Sequence, residues 1–145
     1  MYRSILVAVE NSPADRTILT HVRELASLTG AELLLVHVAD GWAARHFDEL
    51  KLRESEEMKA DRAYLNRLAA ELSASALKVT TELAMGDPAT ELIRLCAERK
   101  VDLIAMSTHG HGFVKDVVLG SVAEAVRHRT DVPVLLLRSR PVSGA

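Results

Sequence analysis

Residues 5–13 read Ile5-Leu6-Val7-Ala8-Val9-Glu10-Asn11-Ser12-Pro13, an unbroken apolar run that stops at a polar turn. Five apolar residues without alternation, three of them β-branched, describe a strand buried on both faces, as in a parallel sheet covered by helices above and below. Ser12 suits a helix N-cap, and Pro13 suits the first helical position, where its missing N–H would be unpaired anyway. Downstream, Ile18, Leu19, Val22, Leu25, Ala26 and Leu28 recur at helical spacing until Gly30 supplies a stop. Leu33 to Val38 is then a second apolar strand. The opening is thus one β-α-β unit.

The same alternation continues to the end of the chain. From His46 to Leu72 a charged stretch carries Leu50, Met58, Leu65, Leu68 and Leu72 at helical intervals, which predicts one long helix, irregular around Gly41 to Phe47. Leu77 to Leu83 alternates apolar with polar residues, as on a sheet edge with one face half exposed. Gly86-Asp87-Pro88 turns the chain into a helix from Ala89 to Arg99. Asp102–Met106 predicts a fourth strand, Gly120–Arg129 a short helix and Val132–Leu137 a fifth strand. Strands alternating with helices, each crossover long enough to be right-handed, predict a doubly wound, mostly parallel five-stranded sheet in a three-layer α/β/α domain spanning residues 1–145. Such sheets bind ligands outside the strand carboxyl ends, where the strand order reverses. The residues just after Val9, Val38, Leu83 and Met106 therefore mark the candidate site.

Composition narrows the function classes. With 145 residues, 48% apolar and 26% charged, the chain has material for one core and little more. A net charge of −2 with no long basic run lacks the electrostatic footprint of a nucleic-acid binder. The single cysteine, Cys96, has no internal partner and fits a reducing compartment. No apolar run approaches the ~20 residues of a membrane-spanning helix. Met1-Tyr2-Arg3-Ser4 leads straight into the first strand, without room for a signal peptide. These features predict a cytoplasmic protein that does not engage membranes.

The loop after the fourth strand is Ser107-Thr108-His109-Gly110-His111-Gly112-Phe113-Val114-Lys115-Asp116-Val117-Val118-Leu119-Gly120-Ser121. Gly110 and Gly112 permit positive φ and let backbone N–H groups come close to an anion. Gly120-Ser121 is read as opening a helix, whose free N–H groups and positive dipole end favour negative charge. Ser107, Thr108 and Ser121 add hydroxyls, and His109, His111 and Lys115 can add positive charge. Composition alone leaves two readings of equal weight, an anion cradle and a plain surface turn.

These strings resemble the universal stress proteins, whose ATP-binding signature Gly-x2-Gly-x9-Gly-(Ser/Thr) follows the fourth strand. Gly110, nine intervening residues, Gly120 and Ser121 match three of its four anchor points; Ser107 stands at the first glycine. The strings Asp102 to Gly110, Leu119 to Glu124, Ile5 to Val9 and Val132 to Leu137 look like the same family, so the resemblance covers essentially the whole chain. It implies an adenine nucleotide, ATP or else ADP or AMP, with phosphates against Gly110, Gly120, Ser121 and Val122 and flanking contributions from Thr108, His109, His111 and Gly112. The ribose would lie near Ser107 and the end of the first strand, Ala8-Val9. The base would lie near Val38 and Glu10. The family commonly has Asp then Gly where this chain has Glu10 and Asn11. The resemblance also implies a homodimer through the strand Val132–Leu137, an apolar edge that needs cover. A companion Mg2+ would draw on the phosphates with Glu10 or Asp116.

Other chemistry reads more weakly. His109-Gly-His111 has only His37 as a third candidate ligand, short of what a metal site needs. His37 itself reads as a satisfied, half-buried histidine, and Cys96 as a packed thiol beside Leu92, Ile93 and Leu95. Lys51 to Arg62 reads as a solvated helix face with i,i+4 pairs. Gly-x-Ser-x-Gly, Walker A and Cys-x-x-Cys strings are missing, so an enzyme is not expected. The phosphoacceptor pattern fails because Ala84-Met85-Gly86 follows the third strand in place of an aspartate. An aromatic content of 3% is poor in rings to stack a flavin. Two readings remain: a nucleotide-binding regulatory module, and a dimeric interaction protein of the same fold that has lost the nucleotide.

Overall fold

The computed structural model describes residues 1–40, 47–109 and 116–139, with the backbone alone for residues 40, 47–55, 109 and 116–120. In chain order the elements are β1 (Ser4–Ala8), α1 (Asp15–Thr29), β2 (Glu32–Asp40), α2 (Phe47–Ser73), β3 (Val79–Gly86), α3 (Pro88–Glu98), β4 (Leu103–His109), α4 (Asp116–Arg129) and β5 (Val134–Ser139). The sheet order is β3-β2-β1-β4-β5, and every pairing is parallel. β1 is central: Leu6 sits opposite Leu34 of β2 and Ile104 of β4. This centrality is why residues 5–7 are fully buried without any polar alternation.

The two-residue period of the strands divides the core into two layers. Ile5, Val7, Leu33, Leu35, Leu103 and Ala105 face α1, through Ile18, Val22 and Ala26, and α2, through Leu65, Leu68 and Leu72. Leu6, Leu34, Val36, Ile104 and Met106 face α3, through Leu92, Leu95 and Cys96, and α4, through Ala123 and Val126. Each large aliphatic side chain so buried contributes roughly 1.5–3 kcal/mol, which is what binds the helix layers to the sheet. Cys96 belongs to this second layer, its Sγ 3.7 Å from the Val101 carbonyl, and burial pushes its thiol pKa up. It is a packing residue, as the sequence suggests.

Helix ends follow local chemistry in part. Gly30, at φ 77°, closes α1 with its N–H on the Ala26 carbonyl at 2.8 Å. Asp87 caps α3 by accepting from the Thr90 N–H at 2.9 Å, and Pro88 opens the helix. At α1, however, the expected Ser12 cap gives way to a turn: the Asp15 and Arg16 N–H groups bond the Ser12 and Pro13 carbonyls, and the helix begins at Asp15. Ser12 Oγ still accepts from the Ala14 N–H at 3.2 Å, so its hydroxyl serves that turn instead.

Three boundaries move in ways that matter to the site. β4 runs on to His109, so Ser107, Thr108 and His109 belong to a strand paired with Leu137, Arg138 and Ser139 rather than to a loop. α4 begins at Asp116, four residues before the expected start. Its free N–H groups therefore fall in the turn from Asp116 onward, and Gly120 and Ser121 lie one turn in. β3 is displaced toward its C-terminus, to Val79–Gly86, and is an edge strand as its alternation implies. The irregular stretch expected near Gly41 to Phe47 falls mostly outside the described residues.

Candidate functional site

The strand order reverses between β1 and β4, since β2 and β3 extend the sheet one way and β5 extends it the other. A cavity of about 160 Å³ opens at this point, at the carboxyl ends. It brings together Ala8, Val9, Glu10, Val38, Ser107 and Val122 of the residues picked out from sequence. Its remaining lining is Asp15, Val36, His37, Pro88, Leu92 and Met106, which the sequence reading did not select as contact residues. Thr108 is half-buried in β4 and does not line the cavity. Ser121 is exposed on α4. The side chain of His109, the environment of Gly120, and Gly110, His111 and Gly112 altogether lie outside the described residues.

One wall of the cavity is a polar lattice around the β1–α1 turn. Asp15 is 2% exposed, although it stands in the first turn of a surface helix. Its carboxylate turns back over the turn and accepts the Glu10 N–H at 2.9 Å, the Asn11 N–H at 2.9 Å and the Ser12 N–H at 3.4 Å. A fourth donor, the Tyr64 hydroxyl, arrives from α2 at 2.6 Å. The three N–H groups come from consecutive residues, and the turn that aims them at one carboxylate includes Asn11 at φ 63°, which asparagine tolerates better than most side chains. Burial pushes the Asp15 carboxyl above the ordinary carboxylate range, and the Tyr64 hydroxyl and backbone donors pull it partly back. The same burial, then the bond to Asp15, drives the Tyr64 phenol well above its usual pKa.

A second chain of contacts secures the same turn. His37 Nδ1 donates to the Val9 carbonyl at 3.0 Å, and its Nε2 lies 3.2 Å from Asp61 Oδ2. The other oxygen of Asp61 accepts from the Asn11 side-chain amide at 3.1 Å. Asp61, assigned from sequence to a solvated helix face, is instead turned toward the sheet. His37 is the satisfied, half-buried histidine that the sequence suggests. Asp61 and Tyr64 are three residues apart on α2 and so share a face, one engaging β2 and the other engaging α1.

The opposite wall is apolar: Met106 from β4, Pro88 and Leu92 from α3 and Val122 from α4. Two polar groups named from sequence are engaged within the chain. The Glu10 carboxylate accepts from the Ser12 hydroxyl. Ser107 Oγ, 3.4 Å from the Ala14 carbonyl, shares that acceptor with Ser139 Oγ at 3.0 Å. Among the described residues no group of three or more His, Cys, Asp or Glu could hold a metal ion. Of the carboxylates considered for one, Glu10 is engaged with Ser12, and the Asp116 side chain lies outside the described residues. No helix among the described residues is long and apolar enough to cross a membrane.

The arrangement offers a ring-sized apolar slot with one polar rim. A cavity of about 150 Å³ accommodates a benzene ring, so this one, of about 160 Å³, suits a single ring system. Asp15 was missed because an acid in a first helical turn ordinarily complements the helix dipole in solvent. The signals available were its fixed distance behind Glu10-Asn11-Ser12 and the isolated Tyr64 within a charged helix.

The model of the universal stress protein family matches residues 1–138. Universal stress protein MJ0577 of Methanocaldococcus jannaschii is 28% identical, over 97% of this chain and 97% of its own length. A universal stress protein of Thermus aquaticus, from the 3′ region of a QAH/OAS sulfhydrylase gene, is 32% identical over 95% of this chain and 100% of its own. The solved structure of MJ0577 superposes with a TM-score of 0.81 at 27% identity, covering 97% of this chain and 99% of that one. A universal stress protein solved in complex with cAMP shares the fold, with a TM-score of 0.68 at 19% identity over 96% of this chain and 98% of its own.

Proposed function

This chain belongs to the universal stress protein family, and from that premise we propose that it is a regulatory module that binds an adenine nucleotide, ATP or its di- or monophosphate relatives. The observation that carries the reading is the apolar cavity straddling the reversal between β1 and β4. Its chemistry suits a purine: aliphatic walls from Val36, Val38, Leu92 and Met106 stack on a flat ring, and the backbone at Val9-Glu10 offers polar partners at its edge. The ribose would lie toward Ser107. The phosphates would extend toward the start of α4, where free backbone N–H groups and the positive helix end favour anions. Mg2+ would travel with the phosphates rather than in a cage of protein ligands. The family relative solved with cAMP supports an adenine ligand for this fold. Occupancy would act on shape or on pairing of two copies through β5, in the cytoplasm, without chemistry on the nucleotide.

Calorimetric titration of ATP, AMP and cAMP into wild type, Val122→Trp and Gly120→Val tests this. Saturable heat for wild type with at least tenfold weakening in Val122→Trp, about 1.4 kcal/mol, is the expected outcome. Heat unchanged in both variants would reject the cavity and the loop together. Absence of heat for every nucleotide would favour the second reading, a dimeric interaction protein of the same fold. That reading draws on a specific observation: Glu10 and Ser107 already have partners within the chain.

A further inference from the structure

A second concavity, of about 500 Å³, lies between α1 and α2 on the outer surface; it shares no lining residue with the first cavity, and its Asn11 and Ser12 follow Glu10 in the β1–α1 turn. The half-buried Leu19 and the outer margins of the core residues Leu68 and Leu72 give it an apolar floor, while Arg16 and Arg23 of α1 and Arg67 of α2 stand on its walls. Against these three cations one acid, Glu71, lines it among the described residues. Arg23 donates to the Ser75 hydroxyl, and Arg67 lies over the Tyr64 ring, 5.4 Å from its centroid. Neither contact neutralises charge. Among the described residues none of the three arginines forms an ion pair.

We propose that this groove docks an acidic, amphipathic helical segment of a partner protein, at a site separate from the nucleotide cavity. Arg16 and Arg23 are two helical turns apart, about 10.5 Å along α1. A single phosphate or carboxylate reaches one of them. A helix with carboxylates two turns apart reaches both, while its apolar side rests on the leucine floor between them. Arg67 answers from the facing wall, where its guanidinium, over the Tyr64 ring, can donate a two-pronged bond to a carboxylate. Exposed ion pairs are individually weak, so the charges act mainly on selection and encounter rate, and the half-buried Leu19 with the margins of Leu68 and Leu72 adds apolar contact. A segment seated here also touches Asn11 and Ser12, the turn that Asp15 and Tyr64 hold in place.

The probe is a fluorescein-labelled helical peptide of about five turns, with glutamates two turns apart and leucines between them. Its counterparts are the same peptide with lysine for glutamate and a scrambled acidic peptide. Anisotropy titrations use wild type, Arg16→Glu/Arg67→Glu and the milder Arg16→Gln/Arg67→Gln, each verified by its thermal melt and by unchanged nucleotide titration. Binding of the acidic helix alone is expected, weakened about tenfold by charge reversal, less by neutralisation, and weakened by salt. The proposal is overturned by equal binding of the lysine or scrambled peptide. It is also overturned by affinity indifferent to charge reversal, or by no binding of the acidic helix at about 0.1 mM, an affinity of roughly −5.5 kcal/mol. Unchanged nucleotide titration separates failure here from failure of the nucleotide reading.

Discussion

The two walls of the strand-end cavity come from the two helix layers and are built on opposite principles. On the α1–α2 side, Asp15, Tyr64, His37, Asp61 and Asn11 hold the turn after β1 by directed hydrogen bonds. On the α3–α4 side, Leu92, Met106 and Val122 form a wall by aliphatic packing alone. The polar wall has one permitted geometry, because each donor has a designated acceptor and an unpaired buried group is costly. The apolar wall sets shape but tolerates adjustment. Within one cavity, orientation and fit are thus assigned to different halves of the molecule.

Substitutions can break that contrast. The largest expected effect is on the apolar side: Leu92→Ala, at a residue 2% exposed, should cost about 3 kcal/mol in urea unfolding. That loss should be independent of pH, since no titrating group is involved. Asp15→Ala should cost less, about 2 kcal/mol at low pH, because water can reach some of the N–H groups it abandons. Its loss should depend on pH. The folded Asp15 pKa is raised above 3.8, so the stability it contributes is full below that value and is lost as pH rises through the folded pKa. The gap between wild type and Asp15→Ala should therefore narrow with rising pH, while the Leu92→Ala gap stays constant. Parallel stability curves for all three proteins would show that the walls are not of different kinds.

The smallest effect sharpens the comparison further. Tyr64→Phe removes one of four donors to Asp15 and keeps the ring in place, which should cost about 1 kcal/mol. Because that hydroxyl pulls the Asp15 pKa down, its removal should move the carboxyl titration, followed by carbon NMR, to higher pH. An unmoved titration would mean that the phenol only packs.

How much of this was legible in the sequence follows the same division. The apolar wall and the sheet behind it were readable because burial imprints a period: Ile5 to Val9 without alternation, Leu92 and Cys96 at helical spacing, and β3 alternating at an edge. Among the cavity-lining residues, Ala8, Val9, Glu10, Val38 and Ser107 stand at strand ends that this period marks, whereas Val122 was named through the family resemblance alone. The polar wall was not readable, since its bonds join residues with no local relation. Asp61 meets Asn11 across fifty positions, and Tyr64 meets Asp15 across forty-nine. Nothing in a charged helix marks which acid turns inward. The starts of helices misled for a related reason: Ser12 and Gly120 are good opening residues, yet α1 starts at Asp15 and α4 at Asp116. Local preference places a boundary only until tertiary contacts offer the backbone something better.

The carbonyl of Ala14 collects the hydroxyls of Ser107 and Ser139, one from β4 and one from the edge strand β5. Ala14 directly precedes Asp15, so a single oxygen atom rivets the outer margin of the sheet to the rim of the cavity. A shift of β5 at Ser139 would thus alter a bond to the residue next to Asp15, whose carboxylate holds the same turn from the other side. The edge and the mouth share one acceptor.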